Sequence, residues 1–216
     1  LLPARAGQVV DRLPDLERLC ARLAKGDCDA VGCTVHYAAG RVESRGGHWN
    51  PWLARAASID HGLALDAPAA ADAERRVSYL SGASMLVGQG FVKRAGRMRE
   101  DYFLYGEEVE WCLRAVAKGA RLGLAADARV LHQQGTTTGS VSEVSRRARM
   151  PVYLDERNKL LITRDCFPHL LPIVTLGAFV MLLLRFARRG AWAQLGYAVE
   201  GWWRGVWNER GRPAWV

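Results

Sequence analysis

The chain has 216 residues, half of them hydrophobic and 24% charged, a globular composition that excludes a disordered or fibrous polymer. Such a length accommodates one domain of roughly 100–200 residues plus an appendage, with a sizeable core. The formal charge of +8 points to an anionic surface or a phosphorylated substrate, and nucleic acid is not expected, because no basic run is interleaved with aromatics and no zinc-finger spacing occurs.

The opening Leu1-Leu2-Pro3 reads as the end of a buried strand, so the sequence is expected to be a piece of a longer chain. Residues 14–25 place Leu16, Leu19, Cys20 and Leu23 at helical spacing, and Gly26 follows as a stop. Residues 29–37 read as a buried strand, 38–40 as a turn, and Arg41–Ser44 as the return strand of a hairpin. The mixed stretch 45–78 reads as a long surface excursion. Tyr79–Val87 is expected as a strand with small residues at its centre, and 90–98 as a short helix or turn. Glu108–Lys118 reads as a helix closed by Gly119, with Val109, Cys112, Leu113 and Val116 on one face. Two short strands, Arg121–Leu124 and Ala128–Leu131, follow, the second delivering His132. Gly135–Gly139 is a polar loop, and 141–165 is expected to be helical with a break near Pro151.

Leu170–Leu184 carries no charge and is flanked by Arg185, Arg188 and Arg189. At about 15 residues it is short of the roughly 20 needed to cross a bilayer. A helix lying in the membrane interface, anchored by Arg and by Trp192, Trp202, Trp203, Trp207 and Trp215, fits better; a buried core helix followed by an amphipathic one is the other reading. The cysteines Cys20, Cys28, Cys33, Cys112 and Cys166 are odd in number and form no CxxC pair, which points to reduced thiols in a cytoplasmic setting.

The densest acidic cluster is Glu107, Glu108 and Glu110, at a helix start behind the aromatic run Tyr102–Tyr105. Successive carboxylates there point about 100° apart, so one can face a cleft as a general base while the next makes a structural bond. Acids at a helix N-terminus also complement its dipole, and spacing alone leaves both readings open. His132 ends a strand before a Gly/Thr loop; such a His coordinates a metal or contacts a diphosphate, or is a satisfied structural residue. Gly82-Ala83-Ser84 permits close approach by either a ligand or a neighbouring strand.

The stretch from Gly82 to His132 resembles family 2 glycosyltransferases of the GT-A fold, closest to the rhamnosyltransferase-like members that build bacterial surface polysaccharides. The match runs through Gly82, Ala83, Phe103, Tyr105, Glu107, Glu108, Glu110, Cys112, Arg114, Gly119 and His132, and Arg157-Asn158 is similar to an Arg-Asn element of the family's C-terminal helix. The resemblance implies an α/β fold: residues 1–168 as the C-terminal portion of a Rossmann-like GT-A domain with a mixed sheet, lacking its N-terminal nucleotide-binding part, and 169–216 as a hydrophobic, membrane-proximal helical tail. It implies inverting transfer from a nucleotide-sugar donor to a saccharide or lipid-linked acceptor, at the inner face of the cell membrane. Glu108, with Glu107 second, is the implied base. Gly82, Ala83, Glu110, Trp111, Arg114 and Arg157 would contact donor or acceptor, and His132 would lie by Mg²⁺ or Mn²⁺ and the diphosphate. The family's acidic metal motif has no counterpart at Leu1–Arg5, so the alternative is a truncated, inactive, membrane-associated scaffold.

Overall fold

A computed structural model describes residues 8–10, 13–132 and 143–216. The elements run β1 (Gln8–Val10), α1 (Leu13–Ala24), β2 (Ala30–His36), β3 (Val42–Ser44), β4 (Gly47–Asn50), β5 (Arg55–Ser58), α2 (Ala73–Arg76), β6 (Met85–Val87), α3 (Gln89–Ala95), α4 (Glu107–Ala117), β7 (Leu122–His132), α5 (Arg149–Cys166), α6 (Leu171–Ala187) and α7 (Trp192–Val206). Contacts divide the chain into two units: Leu1–Trp49, Ala56–Met98 and Trp111–Gln134 in the first, and Asn50–Arg55, Arg99–Glu110 and Gly135–Val216 in the second.

The first unit is α/β with a mixed sheet. β2 is its centre, buried along its whole length and parallel to β7; β1 pairs antiparallel with the far side of β7. On its other side β2 meets β6 through Ala30–Gly32 and β3 through Val35 and His36, both antiparallel. α1 lays Leu19, with the partly buried Leu23, onto Val31, Cys33, Ala125, Ala128 and Val130, whereas Leu16 and Cys20, expected on the same stripe, are exposed.

Four sequence expectations change here. The two short strands after α4 are one strand, β7. Its pairing with β2 jumps from Cys33↔Ala125 to Thr34↔Arg129, so Ala126–Ala128 form a bulge that the poor strand formers Ala-Ala-Asp-Ala imitate as a break. The Thr34 hydroxyl donates to the Ala126 carbonyl (2.7 Å), and the buried Asp15 carboxylate accepts from the Arg129 amide (3.2 Å), satisfying backbone groups at the bulge.

The stretch 45–78 is built rather than merely exposed. It holds the two-stranded sheet β4–β5 and the short α2, and buries Trp49, Ile59 and Ala73. Arg45, 2% exposed, fixes the stretch to β2: Nε donates to Thr34 Oγ1 (3.1 Å), Nη1 to Asp60 (3.0 Å) and Nη2 to the Ala67 carbonyl (2.7 Å). A buried guanidinium with several acceptors organises segments that have no periodic pattern of their own.

Residues 79–84 are not strand, which begins only at Met85. The Ser81 carbonyl accepts from the Ser84 amide (3.0 Å) and its hydroxyl from the Ala83 amide (3.3 Å), so a serine-centred turn competes with the ladder. In the second unit, Pro151 lies in the first turn of α5, where its missing N–H costs nothing, and it marks the start of the helix instead of a break. The loop expected at 135–139 lies outside the described residues.

From Arg149 to Val206 the second unit is built of the helices α5, α6 and α7 with short connections. α5 and α7 approach closely: a Cβ on Gly201 would run into the Tyr153 carbonyl, and one on Gly205 would sit 2.8 Å from the Arg157 carbonyl. α6 packs by Val174, Ala178, Leu182 and Phe186, a stripe with i, i+4 spacing. Pro168–Ala187 is a 20-residue helical stretch, long and apolar enough to cross a membrane by length and composition alone and longer than the uncharged run indicates.

Candidate active site

In the second unit the chain reaches α4 through an unusual turn. Phe103 (φ 70°), Tyr105 (φ 66°) and Gly106 (φ 86°) all lie in the left-handed region. Two of the three are bulky aromatics, for which such a backbone costs on the order of 1–3 kcal/mol each and persists only where the surroundings enforce it. Asn158 on α5 supplies that enforcement: its Nδ2 donates to the carbonyls of Tyr102 (3.2 Å), Leu104 (2.7 Å) and Tyr105 (2.7 Å). Gly106 is packed so closely that a Cβ there would meet Ile162 Cδ1 at 2.9 Å. Its carbonyl then accepts from the Glu110 amide (2.9 Å), and α4 begins.

The acids at this helix head differ in environment. Glu110 is 1% exposed and Glu107 8%, whereas Glu108 is half-buried. Of the three acids, Glu108 is thus the one with solvent access, and it follows directly on the turn that Asn158 holds.

Arg157 is fully buried. Nε donates to Asn158 Oδ1 (2.8 Å), Nη1 to the Gly211 carbonyl (2.7 Å) and Nη2 to the Tyr102 carbonyl (2.7 Å), all neutral oxygens. Burial pulls its pKa below that of an ordinary arginine. The Arg157-Asn158 pair therefore touches the turn that presents the acids, and Arg157 holds Asn158 in register.

The remaining candidates lie in the first unit. Trp111 is 4% exposed, meets Phe91 edge-on at 4.8 Å, and donates from Nε1 to the Gly96 carbonyl (2.8 Å). Arg114 donates to the carbonyls of Ala95 and Arg97 (3.1 Å to the latter). Together the two side chains cover three successive carbonyls at the C-terminal end of α3. Gly82 and Ala83 sit in the turn ahead of β6.

His132, at the end of β7, places Nδ1 2.8 Å from Glu43 Oε2 on β3. Sequence reasoning gave His132 no partner; the partner becomes legible only once β3 and β7 are known to flank β2. The Glu43 hydrogen bond holds the imidazole pKa above the ordinary 6.5, against a lesser opposing effect of burial. A histidine whose folded pKa is raised contributes stability that is fully present below its unfolded pKa and is lost as pH rises through the folded value. Replacing Glu43 by Gln is expected to bring the His132 titration, followed by NMR, down to about 6.5 or lower; an unchanged midpoint would contradict the assignment.

Among the described residues no group of three or more His, Cys, Asp or Glu is placed to hold a metal ion. The His132–Glu43 pair offers one nitrogen and one carboxylate, which falls short of the oxygen-rich set that Mg²⁺ or Mn²⁺ takes. None of the five cysteines is in a disulfide, and burial pushes the Cys33 thiol up to about 12.

No family model matches this chain. It is similar to the low-salt glycan biosynthesis hexosyltransferase Agl10 of Haloferax volcanii, 24% identical over 142 residues, 63% of this chain and 45% of that protein. The chain thus spans less than half of the curated relative it matches, and the similarity supports a glycosyltransferase relationship.

Proposed function

We propose that this chain is the acceptor and catalytic-base portion of an inverting, family 2, GT-A glycosyltransferase, which moves a sugar from a nucleotide diphosphate to a saccharide or lipid-linked acceptor in surface-polysaccharide synthesis. One observation carries the reading: a strained turn, braced by Asn158, presents a half-buried glutamate at a helix head. Strained backbone of this kind concentrates at functional sites. The hexosyltransferase relative supports the reaction class.

In this mechanism Glu108 takes the proton as the acceptor hydroxyl attacks the anomeric carbon, the bond from that carbon to the diphosphate oxygen breaks to release the nucleoside diphosphate, and the configuration inverts in a single displacement. Glu107 and Glu110 are buried in the same first turn of α4. Arg157 and Asn158 position the turn. Mg²⁺ or Mn²⁺ belongs to the reading as counter-ion of the diphosphate, although the described residues alone do not form its ligand set. The test is transfer by the full-length protein from a panel of nucleotide-diphosphate sugars to a prenyl-diphosphate-linked saccharide. Turnover of at least one donor with inverted product supports the reading, and a retained configuration contradicts it.

This reading puts the acceptor at the cytoplasmic membrane face. α6 buries one stripe and leaves Ile173, Leu176, Val180 and Met181 between 47% and 67% exposed, with Trp203 and Trp207 also exposed on α7. Apolar area with Trp at its margin and Arg188 and Arg189 at its end fits the interface of an anionic bilayer. The protein is expected to sediment with phosphatidylglycerol vesicles, and Leu176→Glu with Val180→Glu to release it. Equal binding by this double variant would contradict the assignment.

A further inference from the structure

The turn that aims the acids is held from a second side, by residues that follow α7. Asp165, near the end of α5, accepts from Arg210 through both carboxylate oxygens, from Nη2 to Oδ1 (2.7 Å) and from Nη1 to Oδ2 (3.0 Å). The same Oδ2 accepts from the Tyr102 hydroxyl (2.8 Å) and from Arg99 Nη1 (3.0 Å). Arg99 in turn forks onto Asp101 (3.0 and 2.6 Å), which also receives Arg210 Nη1 (3.3 Å). The next residue, Gly211, donates its amide to the Asp101 carbonyl and accepts from Arg157.

Two carboxylates and two guanidiniums thus alternate around the hydroxyl of Tyr102, whose ring is fully buried. Asp165 and Arg210 are the sheltered members, at 13% and 18% side-chain exposure, and two-point geometry gives such a pair directional as well as electrostatic strength. Tyr102 is the residue immediately before the left-handed Phe103. Its backbone carbonyl is taken by Arg157 and Asn158, and its side chain by Asp165.

We propose that Arg210 and Asp165 are positioning residues for the acidic head of α4, so that the segment after α7 is a working part of the site and not a trailing end. The catalytic consequence rests on the reading of Glu108 as base; the bracing itself does not. Without Arg210, Asp165 and Asp101 share a single guanidinium, Tyr102 loses its fixed anchor, and the left-handed turn is no longer over-determined. A displacement of about 1 Å at a reacting group is enough to cost on the order of 100-fold in rate.

The experiment compares full-length wild type with Arg210→Ala, Arg210→Lys and Tyr102→Phe, reading amide hydrogen exchange and steady-state kinetics on each. Arg210→Ala is expected to accelerate exchange in residues 103–108 by about 10-fold or more while α1 and β2 keep their protection. It is also expected to lower kcat by about 10- to 100-fold with KM within about 3-fold, and Arg210→Lys to recover part of both effects. Tyr102→Phe, which removes one hydroxyl and no charge, gives the same local signature should Arg210→Ala fail to fold. Unchanged exchange in 103–108 overturns the bracing; faster exchange with unchanged kcat overturns the link to catalysis. A wild type that turns over no donor sinks the enzymatic reading, and exchange alone then decides the brace.

Discussion

Glu108→Gln is expected to lower turnover by about 100- to 10,000-fold with the fold retained, the range that a positioned general base contributes. The amide keeps the shape and much of the hydrogen bonding of the carboxylate but cannot accept the proton of the acceptor hydroxyl. Because Glu108 is half-buried and its neighbours Glu107 and Glu110 are not exposed, the substitution leaves the packed side of the helix head untouched. The loss should fall on kcat with KM nearly preserved, since the amide oxygen of Gln still accepts the ground-state hydrogen bond of the hydroxyl but does not take its proton. Glu107→Gln is the paired control. If it, and not Glu108→Gln, abolishes turnover, the buried acid is the base and the assignment is reversed.

Asn158→Ala is expected to destabilise the second unit by about 3–5 kcal/mol. Its amide nitrogen donates to the Leu104 and Tyr105 carbonyls at 2.7 Å each and more weakly to that of Tyr102 (3.2 Å), which keeps Arg157 as a donor, and Asn158 itself is 2% exposed. Each buried acceptor left unpaired costs about 1–3 kcal/mol, and the methyl of Ala reaches none of them. The left-handed Phe103 and Tyr105 would then lose the contacts that hold them. Arg157, which also donates to Tyr102, would lose its acceptor on Asn158. At roughly 2–4 °C per kcal/mol for a chain of this size, the thermal midpoint should fall by about 6–20 °C. A fall of less than about 2 °C would show that the turn keeps its conformation without the clamp.

These two residues also mark how far the sequence could be read. The acidic helix was legible from its own pattern: a polar start, apolar residues at helical spacing and Gly119, which closes it at φ 83°. The β2–β3 hairpin was equally local, with a short turn between two segments of strand character. The Arg-Asn element could be noticed as a motif but not understood, because its acceptors are backbone carbonyls more than 50 positions away that no side-chain pattern announces. Arg45 hid in the same manner: one buried guanidinium joins Thr34, Asp60 and Ala67, and the stretch it organises has no periodicity of its own. The bulge in β7 misread as a gap because Ala and Asp are weak strand formers, and the groups that stabilise it, Thr34 and Asp15, come from other elements. Serine at 81 produced the converse error: a run that reads as strand is diverted by a hydroxyl into a turn. At Asn158, Arg45 and the β7 bulge the missing information was a polar contact to a residue distant in sequence, and at Ser81 it was a local hydroxyl contact that overrode an apolar pattern.

The positions of the acids relative to a bound substrate decide the central claim. A crystal structure of the full-length protein with a nucleoside diphosphate and an acceptor saccharide measures them directly. The account predicts a Glu108 carboxylate oxygen about 2.6–3.2 Å from the acceptor hydroxyl that becomes glycosylated. A hydroxyl approached by a different base, with Glu108 directed to bulk solvent, would contradict it.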